Sequence, residues 1–192
     1  MLFWLVPFAV LILLYVWYVT IISRRNATLD ALSGVDVQLK KRHDLIPNVL
    51  AIAKRFMQHE QQLLEDITRL RSDAFSALQK TEHNPSAEDV STHFALEQQL
   101  QGAMSRLLVQ AEAYPELTSS TPMVNAQQTY LEVETNIAAA RRFYNTSVRR
   151  LRNSTEIFPG SLIVKIVSID TYPFFQADST ALQPVDATSH LN

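Results

Sequence analysis

The sequence predicts an all-α protein: an N-terminal transmembrane helix followed by an antiparallel bundle of three to four long helices. Three observations carry that prediction. The chain opens on an uncharged apolar run, its remainder repeats apolar residues at steps of three, four or seven, and it holds only three glycines in 192 residues. So few glycines leave little room for hairpin turns, phosphate-cradling loops or a Rossmann crossover, which need positive φ or close backbone approach. The length accommodates an anchor and one domain with a proper core. The expected divisions are 1–25 as the anchor, 26–169 as the bundle and 170–192 as an extended C-terminal tail.

The anchor is read from Leu2 to Ile22, with Leu11 and Leu14 near its centre and no charged side chain. As a helix it measures roughly 31 Å, enough to cross a hydrocarbon core of about 30 Å. Trp4 at one end and Tyr15, Trp17 and Tyr18 at the other suit the aromatic belts of membrane interfaces. Pro7 falls in the first turns, where a missing N–H matters least. A cleaved signal peptide needs a basic start and a small-x-small site, and Thr20-Ile21-Ile22-Ser23 offers none; a lipoprotein signal needs a cysteine, and the chain has none. Arg24 and Arg25 come directly after the apolar run, with Lys40, Lys41 and Arg42 beyond. The positive-inside rule therefore puts the N-terminus outside and the bundle in the cytoplasm.

From Asn26 to Lys80 the stripe Val35, Leu39, Ile46, Leu50, Ala53, Met57, Leu64, Ile67, Ala74 and Leu78 keeps one face for a partner helix. Pro47 interrupts it. With no N–H to donate, it predicts a kink or break near Asp44 to Pro47, with Asp44 as the cap of a new helix. The cluster from Thr81 to Ser86 reads as a turn, and Ser86 with Asp89 as a capping box. A further helix to about Ala113 buries Phe94, Leu100, Ala103, Leu107, Leu108 and Ala111. After Tyr114-Pro115 and a Ser/Thr-rich loop, the last long helix spans about Pro122 to Phe158, burying Tyr130, Val133, Ile137, Ala140, Tyr144, Val148 and Leu151. Pro159-Gly160 stops it, and a short helix is expected over 161–169.

Composition narrows the function. A net charge of −2 argues against a dedicated nucleic-acid binder. The absence of cysteine excludes disulfides, thiolate metal sites and a Cys nucleophile. His43-Asp44 and His59-Glu60 lack the Glu-x-x-His spacing of a bundle metal site. Glu65-Asp66 and Glu132/Glu134 have no basic partner in a catalytic arrangement and read as solvated faces. No serine sits in a nucleophile elbow. No enzyme, cofactor, metal or small-molecule substrate is expected. Arg141, Arg142, Arg149, Arg150 and Arg152 read first as a solvated face paired with acids such as Glu65, Asp66 or Asp73. In the alternative reading, Arg141, Arg149, Arg150 and Arg152 meet anionic lipid or an acidic partner.

One string stands apart from periodicity: Val35-Asp36-Val37-Gln38-Leu39-Lys40-Lys41-Arg42-His43-Asp44-Leu45-Ile46-Pro47-Asn48. It resembles the characteristic string of the bacterial LemA family. The resemblance continues through His59-Glu60, Ala113-Tyr114-Pro115-Glu116-Leu117, Ala140-Arg141-Arg142-Phe143-Tyr144-Asn145, Phe158-Pro159 and the pair Phe174-Phe175. A tryptophan usual upstream of the string is absent, and Ser168-Ile169-Asp170 replaces a Gly-Phe pair. The resemblance implies a membrane-anchored bundle in a bacterial cytoplasmic membrane and implies no reaction. Asp36, Gln38, Arg42, Asp44, Pro47, Asn48, Tyr114, Pro115, Arg142, Tyr144 and Asn145 are the residues it marks, read as fixing helix register or facing another subunit. The expected partners are the bilayer, further copies of the chain and other membrane proteins, not nucleic acid. The expected role is a self-associating scaffold or adaptor, with a module binding or remodelling anionic lipid as the alternative.

Overall fold

The structure, a computed structural model, describes residues 2–82, 85–167 and 169–176, with side-chain environments from Val6 onward. Helices α1 (Leu2–Ala53), α2 (Gln61–Thr81), α3 (Ala87–Ala111), α4 (Pro115–Thr118), α5 (Thr121–Glu156) and α6 (Gly160–Ile166) account for nearly all of it, with one 3-10 turn at Gln58–Glu60. Among the described residues there is no strand. The chain runs up α1, back down α2, up α3, round a corner at α4 and down α5. Helix α1 packs chiefly against α5, and α2 against α3. The expected bundle is therefore present, with four long helices.

Helix α1 is one rod. From Val6 to Leu13 it is exposed and apolar, and together with the turns up to Ile22 this run is long enough to cross a membrane. Its later part supplies Ile21, Leu32, Val35, Leu39, Ile46, Val49 and Ala53 to the core. Leu11 is exposed, Leu14 and Trp17 pack partly against the bundle, and Ile22 is half-buried. The side chains of Leu2 and Trp4 lie outside the described residues.

The helix is not broken near Asp44 to Pro47, where a break is the second of the two outcomes expected. Pro47 faces solvent in mid-helix and Asp44 is exposed rather than a cap. Proline's missing N–H frees the carbonyl of residue 43, the usual cause of a kink. Here Arg71 Nε on α2 donates to that carbonyl at 2.7 Å. A neighbouring helix thus replaces the lost bond. The break comes later, after Ala53, where Met57 is buried at the turn. Substituting Arg71 by alanine leaves the His43 carbonyl unpaired and is expected to cost about 1–3 kcal/mol. Thermal melts of the full chain in detergent check this, with Arg71→Lys retaining part of the loss.

The capping box forms as expected: Ser86 Oγ accepts from the Asp89 N–H at 3.1 Å, and the Ser86 N–H donates to Asp89 Oδ2 at 3.1 Å. His83 and Asn84 of the expected turn lie outside the described residues. At the other end of the bundle, the Tyr114 carbonyl accepts from Leu117 and Thr118, which turns the chain through Pro115 into α4.

Two apolar clusters fill the core. One joins Ile21 to Leu39 of α1 with Leu78, Val90, Phe94, Val133 to Leu151, Ile163 and the tail residues Tyr172 and Phe175. The other joins Ile46 to Met57 with Ile67, Ala74, Leu100 to Ala111, Leu117, Met123 and Tyr130. Residues 169–176 carry no helix and are pinned along α5. Residues 177–192 of the expected tail lie outside the described residues.

Candidate functional site

Between the two apolar clusters lies a layer of charged and polar side chains. Arg42 and His43 come from α1, His93 and Glu97 from α3, and Glu134 from α5. Arg42, His43, His93 and Glu97 are each at most 1% exposed. Glu97 is the hub. It accepts from His43 Nε2 at 2.7 Å, lies 3.4 Å from His93 Nε2, and binds Arg42 Nη2 through its other oxygen. Arg42 Nη2 also reaches the Glu97 main-chain carbonyl at 3.3 Å, and Arg42 Nη1 donates to Glu134 Oε1 at 3.0 Å. At the layer's edge Asp36 Oδ1 lies 3.7 Å from His93 Nδ1, while Asp36 Oδ2 accepts from Thr81 at 3.1 Å. Phe75 closes the α2 side with an edge-on contact to the His43 ring, centroids 5.7 Å apart.

Burial alone would push the Glu97 carboxyl up. The hydrogen bonds from His43 and His93 and the charge of Arg42 outweigh it and hold Glu97 well below the usual carboxylate range. Burial likewise opposes the charge on Arg42, but Glu97 and Glu134 raise its pKa further. For Asp36 burial wins over His93 and Thr81, and its pKa rises from 3.8 to about 6.

These opposite shifts give a signed expectation. Asp36, raised on folding, contributes stability that is fully present below pH 3.8 and is lost as pH rises through about 6. Glu97, depressed on folding, contributes stability present above its ordinary 4.5 and lost as pH falls below that. Stability should therefore peak between about pH 4 and 5 and decline on both sides. The Asp36→Asn variant should lose the decline above the peak, which amounts to about 2 kcal/mol by neutral pH. Chemical denaturation of the full chain across this acid-to-neutral range measures both.

The marked residues divide into groups. Asp36 and Arg42 join the ionic layer. Gln38 is half-buried, and Asp44, Pro47 and Asn48 face solvent. Tyr144 and Asn145 hold the tail: Tyr144 Oη donates to the Pro173 carbonyl at 2.8 Å, and Asn145 makes two 2.9 Å bonds to the Phe175 carbonyl and N–H. The Asn145 amide thus pairs with Phe175 as one peptide group pairs with another. Phe175 then stacks on Phe94, centroids 4.1 Å apart and planes within 8°.

The arginine series does not act as one strip. Arg152 donates to the Tyr172 carbonyl at 3.2 Å and lies over the Phe174 ring, and Arg141 lies over Phe175. Arg142, Arg149 and Arg150 are exposed. Two of the acids considered as their partners are engaged elsewhere, Asp66 with Arg69 and Glu65 with Gln61. Glu132 is solvated as expected, but Glu134 is not: it is the second acid on Arg42. His59 lies exposed on the 3-10 turn while His43 is buried in the ionic layer, so the two do not meet.

His93 and Glu97 are invisible when apolar residues alone define the buried stripe of α3. Val90, His93, Glu97, Leu100, Met104, Leu107 and Ala111 alternate steps of three and four without a break, and all are buried. Polar residues in register with an apolar heptad are themselves core positions. That register is the signal the sequence holds.

A four-helix bundle divided by an ionic layer, and built on a first helix long and apolar enough to cross a membrane, defines the class of this protein. The profile of the LemA family matches residues 31–187, which includes the ionic layer and the tail clamp. The chain belongs to the LemA family. No curated protein matches it.

Proposed function

We propose that this protein is a non-enzymatic scaffold or adaptor that self-associates at the bacterial cytoplasmic membrane, N-terminus outside and bundle in the cytoplasm. The carrying observation is the continuity of α1: the segment that enters the membrane and the segment that builds the bundle core are one helix. With no linker, every copy stands at the same height and angle on the bilayer, and confinement to a plane raises the effective concentration of neighbouring copies. Val124 and Leu131, seven residues apart on α5, are exposed apolar side chains on a common outward face. The chemistry of the ionic layer also favours a structural role, since Arg42, His43, His93 and Glu97 at its centre are buried and paired with one another. Multi-angle scattering of the full chain in detergent should give an oligomer, and Leu131→Lys should shift it toward monomer. A clean monomer for the parent chain overturns the reading.

A second reading, contact with anionic lipid, is favoured by one hydrogen bond. Arg24 Nη1 donates to the Arg150 carbonyl at 3.0 Å, which sets exposed Arg149 and Arg150 beside the end of the apolar run. Reversing both charges should reduce the anionic lipid that co-purifies with the full chain. Arg152, committed to the tail, is left intact in that test.

A further inference from the structure

We propose that the corner joining α5 to α6 is immersed in the bilayer, so that the chain meets lipid at a second, re-entrant site besides its anchor. This rests on the reading of α1 as a membrane helix. Three independent features of the corner support it.

The first is length. Helix α6 packs on the end of α5 and also against the apolar run of α1. Ile163 is buried in the same cluster as Ile21, against which Leu14 and Trp17 pack. Gly160 sits so close to α1 that a Cβ there would fall 2.8 Å from Trp17 Nε1 and 1.8 Å from the Ser154 carbonyl. Trp17 Nε1 donates to that same carbonyl at 3.2 Å. The exposed run of described side chains that begins at Val6 ends at Leu13, and even counted from Leu2 the helix rises only roughly 18 Å to that point. A hydrocarbon core of about 30 Å needs the remaining turns up to Ile22 as well. The stretch that α6 covers is therefore inside the bilayer boundary, and α6 goes with it.

The second is the outer surface of the corner. Ile157, Phe158, Leu162 and Ile166 point away from the protein and are 58%, 72%, 48% and 85% exposed. A turn facing water would carry polar residues here. An apolar surface of this kind, continuous with a membrane helix, matches a segment lying in the interface.

The third is charge. Basic residues border the corner, Lys165 on α6 itself and exposed Arg149 and Arg150 on the bundle side, with the exposed Glu156 at the end of α5 as their acidic neighbour. Long basic side chains at that depth extend to headgroup phosphates while their stems stay in the apolar layer. An acidic surface there would oppose insertion.

The chain lacks cysteine, so single-cysteine spin labels can be placed without background. Four exposed positions in the full chain, reconstituted in phosphatidylcholine–phosphatidylglycerol vesicles, make the test: Val10→Cys on the anchor, Val109→Cys at the far end of α3, Leu162→Cys and Ile166→Cys. Collision with oxygen against collision with a water-soluble nickel chelate reports depth. The expected result is a ratio at 162 and 166 shifted from the Val109 value toward the Val10 value. Nickel access at 162 and 166 equal to that at 109 overturns the proposal, with a lipid-like Val10 keeping the anchor reading intact. Exclusion of both probes at 162 and 166 also overturns it, since protein rather than lipid then covers the corner. A water-like Val10 removes the anchor and the proposal together. Should either labelled α6 variant lose helical signal, Phe158→Cys replaces it on the same surface.

Discussion

Replacing Glu97 by alanine is expected to destabilise the bundle by about 3–5 kcal/mol, the cost of leaving a buried charge without its partner. Arg42 is 1% exposed and cannot recover water by a change of rotamer. Glu134 would remain its sole carboxylate, from a position 18% exposed. His43 and His93 lose the acid they share. For a chain of this size the loss corresponds to a drop in melting temperature of roughly 10 °C. Circular dichroism of the full chain in detergent reads it directly. The companion variant Arg42→Met/Glu97→Leu removes both charges and is expected to recover a large part of the loss, because an apolar pair often replaces a buried ion pair at little cost. If Glu97→Ala melts with the parent, the layer does not act as a connected unit. If the double variant melts as low as the single one, the cavity and not the stranded charge is the cause.

The Phe175→Ala variant tests the tail clamp, with an expected loss of about 3 kcal/mol from the deleted ring. Phe175 is 4% exposed and stacks on Phe94, which in turn meets the edge of Tyr144 at 5.4 Å. The loss cannot exceed the free energy that docks residues 169–176, since beyond that point the strap simply opens. Hydrogen exchange should therefore rise throughout the strap and along the Phe94 turn of α3, while α2 stays protected. Asn145→Ala should produce the same pattern through two lost hydrogen bonds. The two losses should sum to more than the double variant shows, because both act on one docking event. Faster exchange spread evenly over all helices would contradict this account.

These two regions also show what a sequence discloses. The apolar stripes of α1, α3 and α5 are readable because 3.6-residue periodicity is a property of one helix alone. Pro47 misleads for the complementary reason. Whether a proline breaks a helix depends on what else can satisfy the freed carbonyl, and Arg71 belongs to a different helix. The turn after Ala53 carries no glycine or proline to announce it. In the ionic layer Asp36 and Arg42 stand out within their string, but their partners His93, Glu97 and Glu134 lie more than 50 residues away in the chain. Such pairings arise from packing and have no local mark beyond the heptad register of α3. Tyr144 and Asn145 are likewise legible as unusual without being legible as a clamp, because the group they bind is backbone, and backbone has no sequence code.

The unbroken course of α1 has a mechanical consequence. On the proposed membrane placement, a continuous helix held at one end behaves as a lever whose fulcrum is the bilayer surface. From Ile22 to Ala53 it extends roughly 46 Å beyond that fulcrum. An inclination change of about 10°, the size of adjustment by which helices accommodate bilayers of different thickness, swings its far end by roughly 8 Å. On that placement, thinner or thicker membranes translate into lateral displacement of the α4 corner.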